Sequence, residues 1–410
     1  MAELKPGDAV ILGHGGLPVD HSIADLECRA RRYLPRVLYD WIAGGAEDEA
    51  GLRRSVDIYS QHRFVPRYGA PVDQPDLRTT LFNRTYQRPF GIAPTGYTGI
   101  LRPGGESMMR AAAQRADIPY LLSGVSVPSL EAIAAEEPGR TWYQLYPARD
   151  HRITLDMAHR ARDAGYPVLV ITMDMPREAK RERDWRNGFS LPLRYSTKRV
   201  LDGLLHPGWT WRYLMSGGVP TLGTWQRYLP ANSPASAVLR FHSEQGYPAI
   251  SWQHVDDFRA MWKGPLVLKG LLHPEDAQRA LEAGADGVIL SNHGGRQLDR
   301  AVTALESLAA VRERVGNRLT VMLDGGIRRG ADIATALALG ADYVFCGRAL
   351  LWGLIAAGEA GVDQAIAILT DELSRNMSQT GTPTIKDWGP HRLASAALSD
   401  HGVSRSQGLR

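Results

Sequence analysis

A nine-residue stretch, residues 291–299, combines side chains that suit proton transfer and anion binding. It reads Ser-Asn-His-Gly-Gly-Arg-Gln-Leu-Asp and follows the apolar run Gly287–Leu290, which predicts a short buried strand. His293 can take up a proton near neutral pH, and Arg296 can bind a carboxylate through two parallel hydrogen bonds. For either residue alone, an exposed turn is the simpler interpretation. Together they indicate a base beside an anion site, which suits chemistry at a carbon next to a carboxylate.

Glycine and arginine follow two later apolar runs in a pattern typical of a phosphate site. Asp324-Gly325-Gly326-Ile327-Arg328 follows the first run, and Gly347-Arg348 follows the second. Glycine amides that precede a helix, with arginines adjacent, suit a phosphate monoester. Parallel barrels commonly place such a site after their seventh and eighth strands. Polar or glycine-bearing signatures, each weak alone, end five other apolar runs, at Pro94-Thr95-Gly96-Tyr97, Ser123-Gly124, Gln144-Leu145-Tyr146, Thr172-Met173-Asp174 and Lys269-Gly270.

Short apolar runs that alternate with helical segments predict the elements that position these residues. The phrases EAGADGVIL and ALGADYVFC repeat one unit, in which a helix ends in Gly-Ala-Asp and turns into a strand. Eight alternating units predict parallel pairing in an α/β fold and favour closure into a (β/α)8 TIM barrel, whose active site lies at the carboxyl ends of the strands. The predicted strands are Phe90 to Pro94, Tyr120 to Ser123, Trp142 to Tyr146, Val168 to Asp174, Leu266 to Lys269, Gly287 to Ser291, Thr320 to Asp324 and Tyr343 to Gly347.

The rest of the chain is expected to belong to this barrel, so that residues 1–410 form one domain. Residues 1–88 carry helical signals and predict an N-terminal helical extension. Residues 186–247 lie between the fourth and fifth strands and exceed the length of one helix with its turns, which predicts a long insertion loop. Tryptophans and arginines in that loop suit a membrane interface, a lid over the site or a subunit contact.

Composition limits the partners and the compartment. The chain has 410 residues and a net charge of +4, which is too weakly basic to indicate nucleic acid. Cys28 and Cys346 are the only cysteines, so we expect no disulfide framework and a reducing compartment. Residues 1–20 lack the apolar core of a signal peptide. We therefore expect a cytoplasmic protein without a metal, with peripheral contact to the inner face of the membrane through residues 186–229 as an option.

Taken in order, several motifs resemble the FMN-dependent L-2-hydroxy acid dehydrogenase and oxidase family. They run from about Leu34 to Trp388 and read LPRVLYD…GGAED, APTG, YQLY, TMDMP…KRERD, VLKG, SNHGGRQLD, LDGGIRRG and FCGR. The resemblance implies FMN as the cofactor and oxidation of an L-(S)-2-hydroxy acid to the 2-oxo acid. APTGYTGILRPGGE and the long insertion are most similar to the (S)-mandelate dehydrogenases, which favours a bulky or aromatic substrate.

The same resemblance implies roles for individual residues. His293 is expected to be the catalytic base, with Asp174 orienting it and Tyr146 contacting the substrate hydroxyl. Arg296 and Arg181 are expected to bind the substrate carboxylate. The base removes either the hydroxyl proton or the α-proton, and the sequence does not distinguish the two. The residues expected to hold the flavin, its ribityl chain and its phosphate are Pro94, Thr95, Gly96, Ser123, Gln144, Thr172, Lys269, Ser291, Asp324, Gly326, Arg328, Gly347 and Arg348. Lys269 is expected at the pyrimidine edge, where a fixed cation stabilises anionic reduced flavin.

One position departs from the family pattern. Trp41, in LYDWIAGG, stands where relatives usually carry a tyrosine whose hydroxyl helps to bind the substrate carboxylate. Either the indole N–H substitutes for that hydroxyl, or the carboxylate end of the pocket is reshaped, and both interpretations stay open here. Gly96 and Val125, where some relatives carry larger residues, predict room above the flavin for a bulky side chain.

The sequence leaves alternatives to the oxidation of a bulky L-(S)-2-hydroxy acid open, both for the reaction and for the partners. The alternatives are a lactate- or glycolate-type oxidase that uses oxygen, and a flavin-barrel enzyme with decarboxylative or non-redox chemistry. A non-catalytic barrel is disfavoured because His293, Asp174, Arg181 and Arg296 are all present. The electron acceptor is either oxygen or a quinone. Relatives with this barrel usually form fourfold assemblies, so we expect a homotetramer.

Overall fold

Eight parallel strands form the centre of the fold, and a two-stranded hairpin precedes them in the chain. The computed structural model describes residues 20–193, 196–246 and 248–394. The hairpin strands are β1 (Thr79–Leu81) and β2 (Arg84–Tyr86). The parallel strands are β3 (Phe90–Ile92), β4 (Leu121–Ser123), β5 (Trp142–Leu145), β6 (Leu169–Thr172), β7 (Leu266–Leu271), β8 (Gly287–Leu290), β9 (Thr320–Asp324) and β10 (Tyr343–Cys346).

The parallel strands close into a barrel in chain order. Each strand from β4 to β10 pairs with the next, and β10 pairs in turn with β3. A parallel bridge between Ile92 and Tyr120 joins β3 to the start of β4 and completes the circle. The strands are buried almost throughout, since side chains fill the barrel on one face and helices cover the other. The predicted (β/α)8 barrel and its eight strands are confirmed.

Helices surround the barrel and cover its carboxyl end. Each barrel strand is followed by a helix that packs outside the sheet, and in chain order these eight helices span Gly105–Ala116, Leu130–Glu136, His151–Asp163, Trp252–Met261, Pro274–Glu282, Ala304–Val315, Gly330–Ala338 and Arg348–Ala357. The helices are α1 (Ile23–Tyr33), α2 (Arg36–Ala43), α3 (Ala50–Asp57), α4 (Thr98–Leu101), α5 (Gly105–Ala116), α6 (Leu130–Glu136), α7 (His151–Asp163), α8 (Glu182–Asn187), α9 (Thr197–Leu205), α10 (Pro207–Met215), α11 (Gly223–Gln226), α12 (Ala235–Gln245), α13 (Trp252–Met261), α14 (Pro274–Glu282), α15 (Ala304–Val315), α16 (Gly330–Ala338), α17 (Arg348–Ala357) and α18 (Glu359–Gln379). Short 3-10 turns occupy Ile58–Gln61, Gly316–Arg318, Ile385–Asp387 and Pro390–Arg392.

The N-terminal extension is not wholly helical. Helices α1 to α3 confirm the helical part, and the side chain of Ser22 caps α1 by accepting the amide of Asp25 at 3.2 Å. The hairpin of β1 and β2 was not predicted. It packs at the amino end of the barrel, with its turn residue Phe82 against Trp142 at 5.6 Å and Tyr86 against Tyr343 at 6.0 Å between ring centroids. Residues 1–19, which include most of the stretch examined for a signal peptide, lie outside the described residues.

The insertion between the fourth and fifth barrel strands, β6 and β7, is folded rather than a loop. Its described part contains the four helices α9 to α12, which corrects the prediction for residues 186–247. Two buried tryptophans fix it to the carboxyl end of the barrel: Trp209 donates to the Ile100 carbonyl at 2.9 Å and Trp225 to the Gly124 carbonyl at 3.0 Å. These two rings are therefore structural anchors, because each buried indole N–H has a partner. Trp211, in contrast, is exposed.

Candidate active site

His293 lies just beyond β8 with its backbone in the left-handed region, at φ 57°. Its amide donates to Ser291 Oγ at 3.0 Å, and its ring Nδ1 lies 3.1 Å from both carboxylate oxygens of Asp174. Because Nδ1 faces a carboxylate, we assign the ring proton to it, which leaves Nε2 as the basic nitrogen. The Tyr146 hydroxyl lies 3.5 Å from Nε2. The fold thus brings together the predicted base, its orienting carboxylate and the predicted tyrosine.

Asp174 is held against His293 by close packing from β7. Gly270 has a φ of 100°, and a Cβ there would lie 2.4 Å from Asp174 Cγ, so a side chain would displace the carboxylate. Burial acts to raise the pKa of Asp174, but the charge of His293 and its hydrogen bond, together with Lys269, outweigh burial and hold the pKa below its usual value. Asp174 is therefore ionised at neutral pH and can stabilise a protonated His293.

Two arginines face the same space from the loops after β6 and β8. Arg296 Nη1 donates to the carbonyls of Trp41 at 2.6 Å and Gly44 at 2.9 Å, which fixes the guanidinium to the end of α2. Arg181 Nε donates to the Arg296 carbonyl at 3.3 Å. Burial and the charges of Arg181 and Arg348 lower the pKa of Arg296 well below its usual range. An anionic ligand would relieve that repulsion, as expected of a carboxylate clamp.

Trp41 forms an aromatic wall beside this clamp. Its indole stacks on Phe189 with ring centroids 4.7 Å apart and planes at 11°, and it meets Tyr97 edge-on at 6.1 Å and 69°. The indole thus packs on two aromatic rings, while the Trp41 carbonyl accepts a hydrogen bond from Arg296. Both interpretations of Trp41, an indole N–H that substitutes for the tyrosine hydroxyl or a reshaped carboxylate end of the pocket, stay predictions. Phe189 gave no signal in the sequence, because its position depends on how the insertion leaves β6.

A cavity of about 650 Å³ joins these groups at the carboxyl end of the barrel. The predicted site residues that line it are Trp41, Pro94, Thr95, Gly96, Tyr146, Arg181, His293, Arg296, Asp324, Gly326, Arg328, Gly347 and Arg348. Six further predicted residues lie in the layer behind this lining, namely Ser123, Gln144, Thr172, Asp174, Lys269 and Ser291. Lining residues that the sequence did not single out include Phe189, Leu239, His242 and Ser243, and Tyr97 of the first strand-end signature also lines the cavity.

Gly96 is needed for packing rather than for open space. A Cβ at this position would lie 2.5 Å from Val125 Cγ2 and 3.6 Å from Ser123 Oγ. The space next to Gly96 is therefore filled by Val125, and the prediction that these two residues leave room above the flavin is wrong at Gly96.

A buried lysine lies at the carboxyl end of β7 and could face a flavin. Lys269 Nζ lies 2.9 Å from Asp324 Oδ2 and 3.0 Å from Ser291 Oγ, and Ser291 donates to the other oxygen of Asp324. Burial acts to lower the pKa of Lys269, but Asp324 and Asp174 outweigh it and raise the pKa above its usual value. The side chain is therefore a fixed cation, which fits the pyrimidine edge of a flavin.

Two buried polar atoms, one in the cavity lining and one in the layer behind it, lack a hydrogen-bond partner among the described residues. Gln144 donates its amide to Thr172 Oγ1 at 2.8 Å, but Gln144 Oε1 and Thr95 Oγ1 find no hydrogen-bond partner among the residues that the structure describes. Unpaired buried polar atoms cost free energy, so such atoms at a cavity indicate a missing partner. A flat ring with several N–H and carbonyl groups, such as an isoalloxazine, supplies partners of both kinds.

The phosphate end is formed by two guanidiniums and one helix start. Arg328 and Arg348 both face the cavity, and burial lowers the pKa of Arg348 to about 9 and the pKa of Arg328 below its usual value. At the start of α16, the amides of Arg328 and Arg329 already donate to Asp332. At the start of α17, no side chain of the described residues caps the helix after Gly347. The amides open to a phosphate are thus those of α17 rather than α16.

An eight-stranded parallel barrel with a base, an anion clamp and a buried cation at its carboxyl end fits the class of flavin-dependent barrel enzymes. The family model described as FMN-dependent dehydrogenase matches residues 30–395. Because this match covers most of the chain, the chain belongs to that family. FMN is the family's cofactor, and the residues that surround the cavity fit it.

The similarity to known proteins covers almost the whole chain. The (S)-mandelate dehydrogenase of Pseudomonas putida is 39% identical over 380 residues, which is 92% of this chain and 95% of the relative. An L-lactate dehydrogenase of Caulobacter sp. (strain K31) is 39% identical over 364 residues, covering 89% and 96%. Among solved structures, a crystal structure of (S)-mandelate dehydrogenase, described as a monotopic membrane protein, is similar with a TM-score of 0.87, 39% identity and coverage of 91% of this chain and 99% of that one.

Proposed function

We propose that this protein oxidises an L-(S)-2-hydroxy acid with an aromatic side chain to the corresponding 2-oxo acid. The observation that carries the proposal is the pair of His293 and Asp174 beside two arginines, with Nδ1 of the histidine 3.1 Å from the carboxylate. A base beside an anion clamp suits a substrate whose reacting carbon carries a carboxylate. The aromatic wall of Trp41 and Phe189 favours a substrate ring over a methyl group or hydrogen. The similarity to a mandelate dehydrogenase and a lactate dehydrogenase supports the same reaction class.

Individual residues of the chain have separate roles in this reaction. Arg296 and Arg181 hold the substrate carboxylate and so orient the α-carbon towards His293. Nε2 of His293 takes the substrate proton, and the ionised Asp174 stabilises the imidazolium that results. The Tyr146 hydroxyl, 3.5 Å from Nε2, lies where it can contact the substrate oxygen. The residues around the cavity would hold FMN, which would supply the two-electron acceptor for the substrate's electron pair and its second hydrogen.

The proposal is tested by mixing the FMN-loaded protein anaerobically with single substrates. We expect (S)-mandelate to bleach the flavin absorbance with a second-order rate constant of flavin reduction at least tenfold above those of lactate and glycolate, because burial of an aromatic side chain contributes ~1.5–3 kcal/mol. (R)-mandelate, which presents its hydrogen and hydroxyl differently to His293, serves as the control. Absence of bleaching by any 2-hydroxy acid would contradict the reaction, and a tenfold preference for lactate or glycolate would contradict the substrate class. Recovery of phenylglyoxylate distinguishes simple oxidation from decarboxylation.

We further propose that α9 and α10 bind a membrane surface and that the electron acceptor is a membrane quinone rather than oxygen. α9 has no buried residue, and Leu205 and Met215 are 79% and 68% exposed. The exposed apolar side chains of the two helices are Val200, Leu201, Leu204, Leu205, Trp211, Leu214 and Met215. Exposed Lys198 and Arg212 lie among them and suit anionic lipid headgroups. No described helix is long and apolar enough to cross a bilayer, so the proposed contact is peripheral.

Vesicle binding tests the membrane proposal. We expect the wild-type protein to sediment with vesicles of phosphatidylglycerol and phosphatidylcholine, and the triple variant Leu201→Ser, Leu205→Ser, Trp211→Ser to bind at least tenfold more weakly, since each buried leucine contributes ~1.5–3 kcal/mol. The matched control is Val65→Ser with Tyr68→Ser, which removes exposed apolar side chains elsewhere. Equal binding by the triple variant would contradict the membrane proposal, and rapid oxygen consumption would contradict the proposal that a quinone is the electron acceptor.

The homotetramer stays a prediction that light scattering can check.

A further inference from the structure

Tyr97 adopts a backbone conformation that bulky residues rarely tolerate. Its φ is 55°, in the left-handed region, and its amide is held by the Val125 carbonyl at 3.0 Å. A bulky residue at positive φ strains the backbone, so the surrounding structure must stabilise this conformation. Such strained positions are common at functional sites. The conformation places the tyrosine ring in the lining of the active-site cavity, edge-on to Trp41.

His242 adds a second polar group at the same place. It lies on α12, lines the cavity, and packs edge-on against Trp225 at 4.7 Å. Its Nδ1 is 3.5 Å from the Tyr97 hydroxyl. Burial lowers the pKa of His242 to about 4, so the imidazole is neutral at pH 7 and acts as a hydrogen-bonding group without charge.

The two residues follow the carboxylate clamp along one wall of the cavity. Arg296 contacts the carbonyl of Trp41, the Trp41 ring contacts Tyr97, and Tyr97 contacts His242 with ring centroids 6.5 Å apart. A substrate whose carboxylate lies on Arg296 and whose α-carbon faces His293 can extend its ring along this wall. The ring would then reach a tyrosine–histidine pair rather than a purely apolar end.

We infer that Tyr97 and His242 form a specificity subsite for a hydrogen-bonding substituent, of the hydroxyl type, on the ring of an aryl 2-hydroxy acid. The inference rests on the proposed function and narrows its substrate class. A phenol oxygen both donates and accepts, so the Tyr97 hydroxyl can bond a substrate hydroxyl in either direction while it contacts His242. A site built to bond a hydroxyl discriminates against an analogue without one, because the site's polar groups then lose their partner.

A purely structural role for the pair makes a different prediction. If Tyr97 and His242 served only to join α12 to the loop after β3, removal of the tyrosine hydroxyl would lower stability and slow all substrates in the same proportion. A subsite changes the ratio between substrates. The ratio for a hydroxyl against a methyl group at the same ring position isolates the hydrogen bond, because the two substituents are close in size.

The experiment compares 3- and 4-hydroxymandelate with 3- and 4-methylmandelate in the FMN-loaded enzyme. For the better of the two positions, we expect the wild-type kcat/KM for the hydroxy compound to exceed that for the methyl compound by about three- to tenfold, the effect of one neutral hydrogen bond. In Tyr97→Phe the ratio should fall to about 1. Dissociation constants of the unreactive hydroxy- and methylphenylacetates, measured by flavin spectral perturbation, should change in parallel. His242→Gln, which keeps an amide at the site, should retain part of the ratio.

Tyr228→Phe is the matched control, because Tyr228 lies in the same insertion and its hydroxyl bonds Asp156 outside the cavity lining. It should keep the wild-type ratio. If (S)-mandelates are oxidised but the wild-type ratio is about 1, or if Tyr97→Phe keeps the ratio, the subsite is overturned while the proposed function stands. If no 2-hydroxy acid reduces the flavin, the proposed function itself fails, and the phenylacetate dissociation constants still decide whether the subsite exists.

Discussion

Replacing His293 by asparagine is expected to lower the rate of flavin reduction by (S)-mandelate by about 10²- to 10⁴-fold, the range that a positioned general base contributes. Asparagine is the suitable replacement because it tolerates the left-handed backbone that His293 adopts at φ 57°, so the loop after β8 keeps its course. The side chain is too short and too weakly basic to accept the substrate proton. Asp174 loses the imidazole that it orients, and the stabilisation of the protonated base is lost with it.

Stopped-flow absorbance under anaerobic conditions measures this effect directly. His391→Asn is the matched control, since His391 is exposed and lies far along the chain near Trp388. It should reduce flavin at the wild-type rate. FMN content should be similar in both variants, because His293 holds no predicted phosphate or ribityl contact. A His293→Asn enzyme that retained more than about a tenth of wild-type activity would show that another group takes the proton.

The barrel could be predicted from the sequence because each of its strands carries a complete local signal. Every strand is a short apolar run that ends in glycine or a polar residue, and a helix follows, as Gly287–Leu290 is followed by Ser291 and, after a loop, by α15. Parallel strands buried on both faces need such continuous apolar runs. The strand ends of a barrel meet at one rim, so residues as distant in sequence as Asp174 and His293 were expected together before any distance was known.

The hairpin of β1 and β2 was not predicted because one of its two turn residues, Phe82, is not a usual turn residue. Phe82 and Asn83 both have positive φ, at 48° and 63°, as a two-residue turn between antiparallel strands requires. Asparagine is a usual residue for such a turn, but phenylalanine is not. Phe82 occupies the position because its ring packs against Trp142 at the bottom of the barrel. Tertiary packing here overrides the local preference, and a sequence pattern does not show it.

The insertion explains why part of the site could not be predicted. α9 does carry an apolar face, formed by Val200, Leu201, Leu204 and Leu205, but that face is exposed and does not pack on the core, so the pattern does not show where the insertion lies. Phe189 and His242 reach the cavity only because Trp209 and Trp225 anchor the insertion over the rim of the barrel. Strand-end residues have a position set by the barrel, whereas insertion residues have a position set by contacts between segments distant in the chain.

Replacing Lys269 by methionine is expected to lower the free energy of unfolding by about 3–5 kcal/mol, since the Asp324 carboxylate would remain buried without its cation. Lys269 Nζ lies 2.9 Å from Asp324 Oδ2, and both side chains are almost fully buried. Methionine matches the length of the lysine stem, so the change removes the charge with little loss of volume. FMN occupancy should fall as well, because the fixed cation expected at the pyrimidine edge is gone. Urea unfolding of the apoprotein and flavin content after purification measure the two effects separately.

The double variant Lys269→Met, Asp324→Asn decides whether charge is the cause. If the unpaired carboxylate destabilises the single variant, its removal should restore at least about half of the lost free energy of unfolding, even though Ser291 then donates to a neutral amide. Lys263→Met, at an exposed lysine, should change stability by less than about 0.5 kcal/mol. A double variant as unstable as Lys269→Met would point instead to lost packing around the lysine stem. FMN binding should stay weak in the double variant in either case, because both side chains that are expected to hold the flavin have changed.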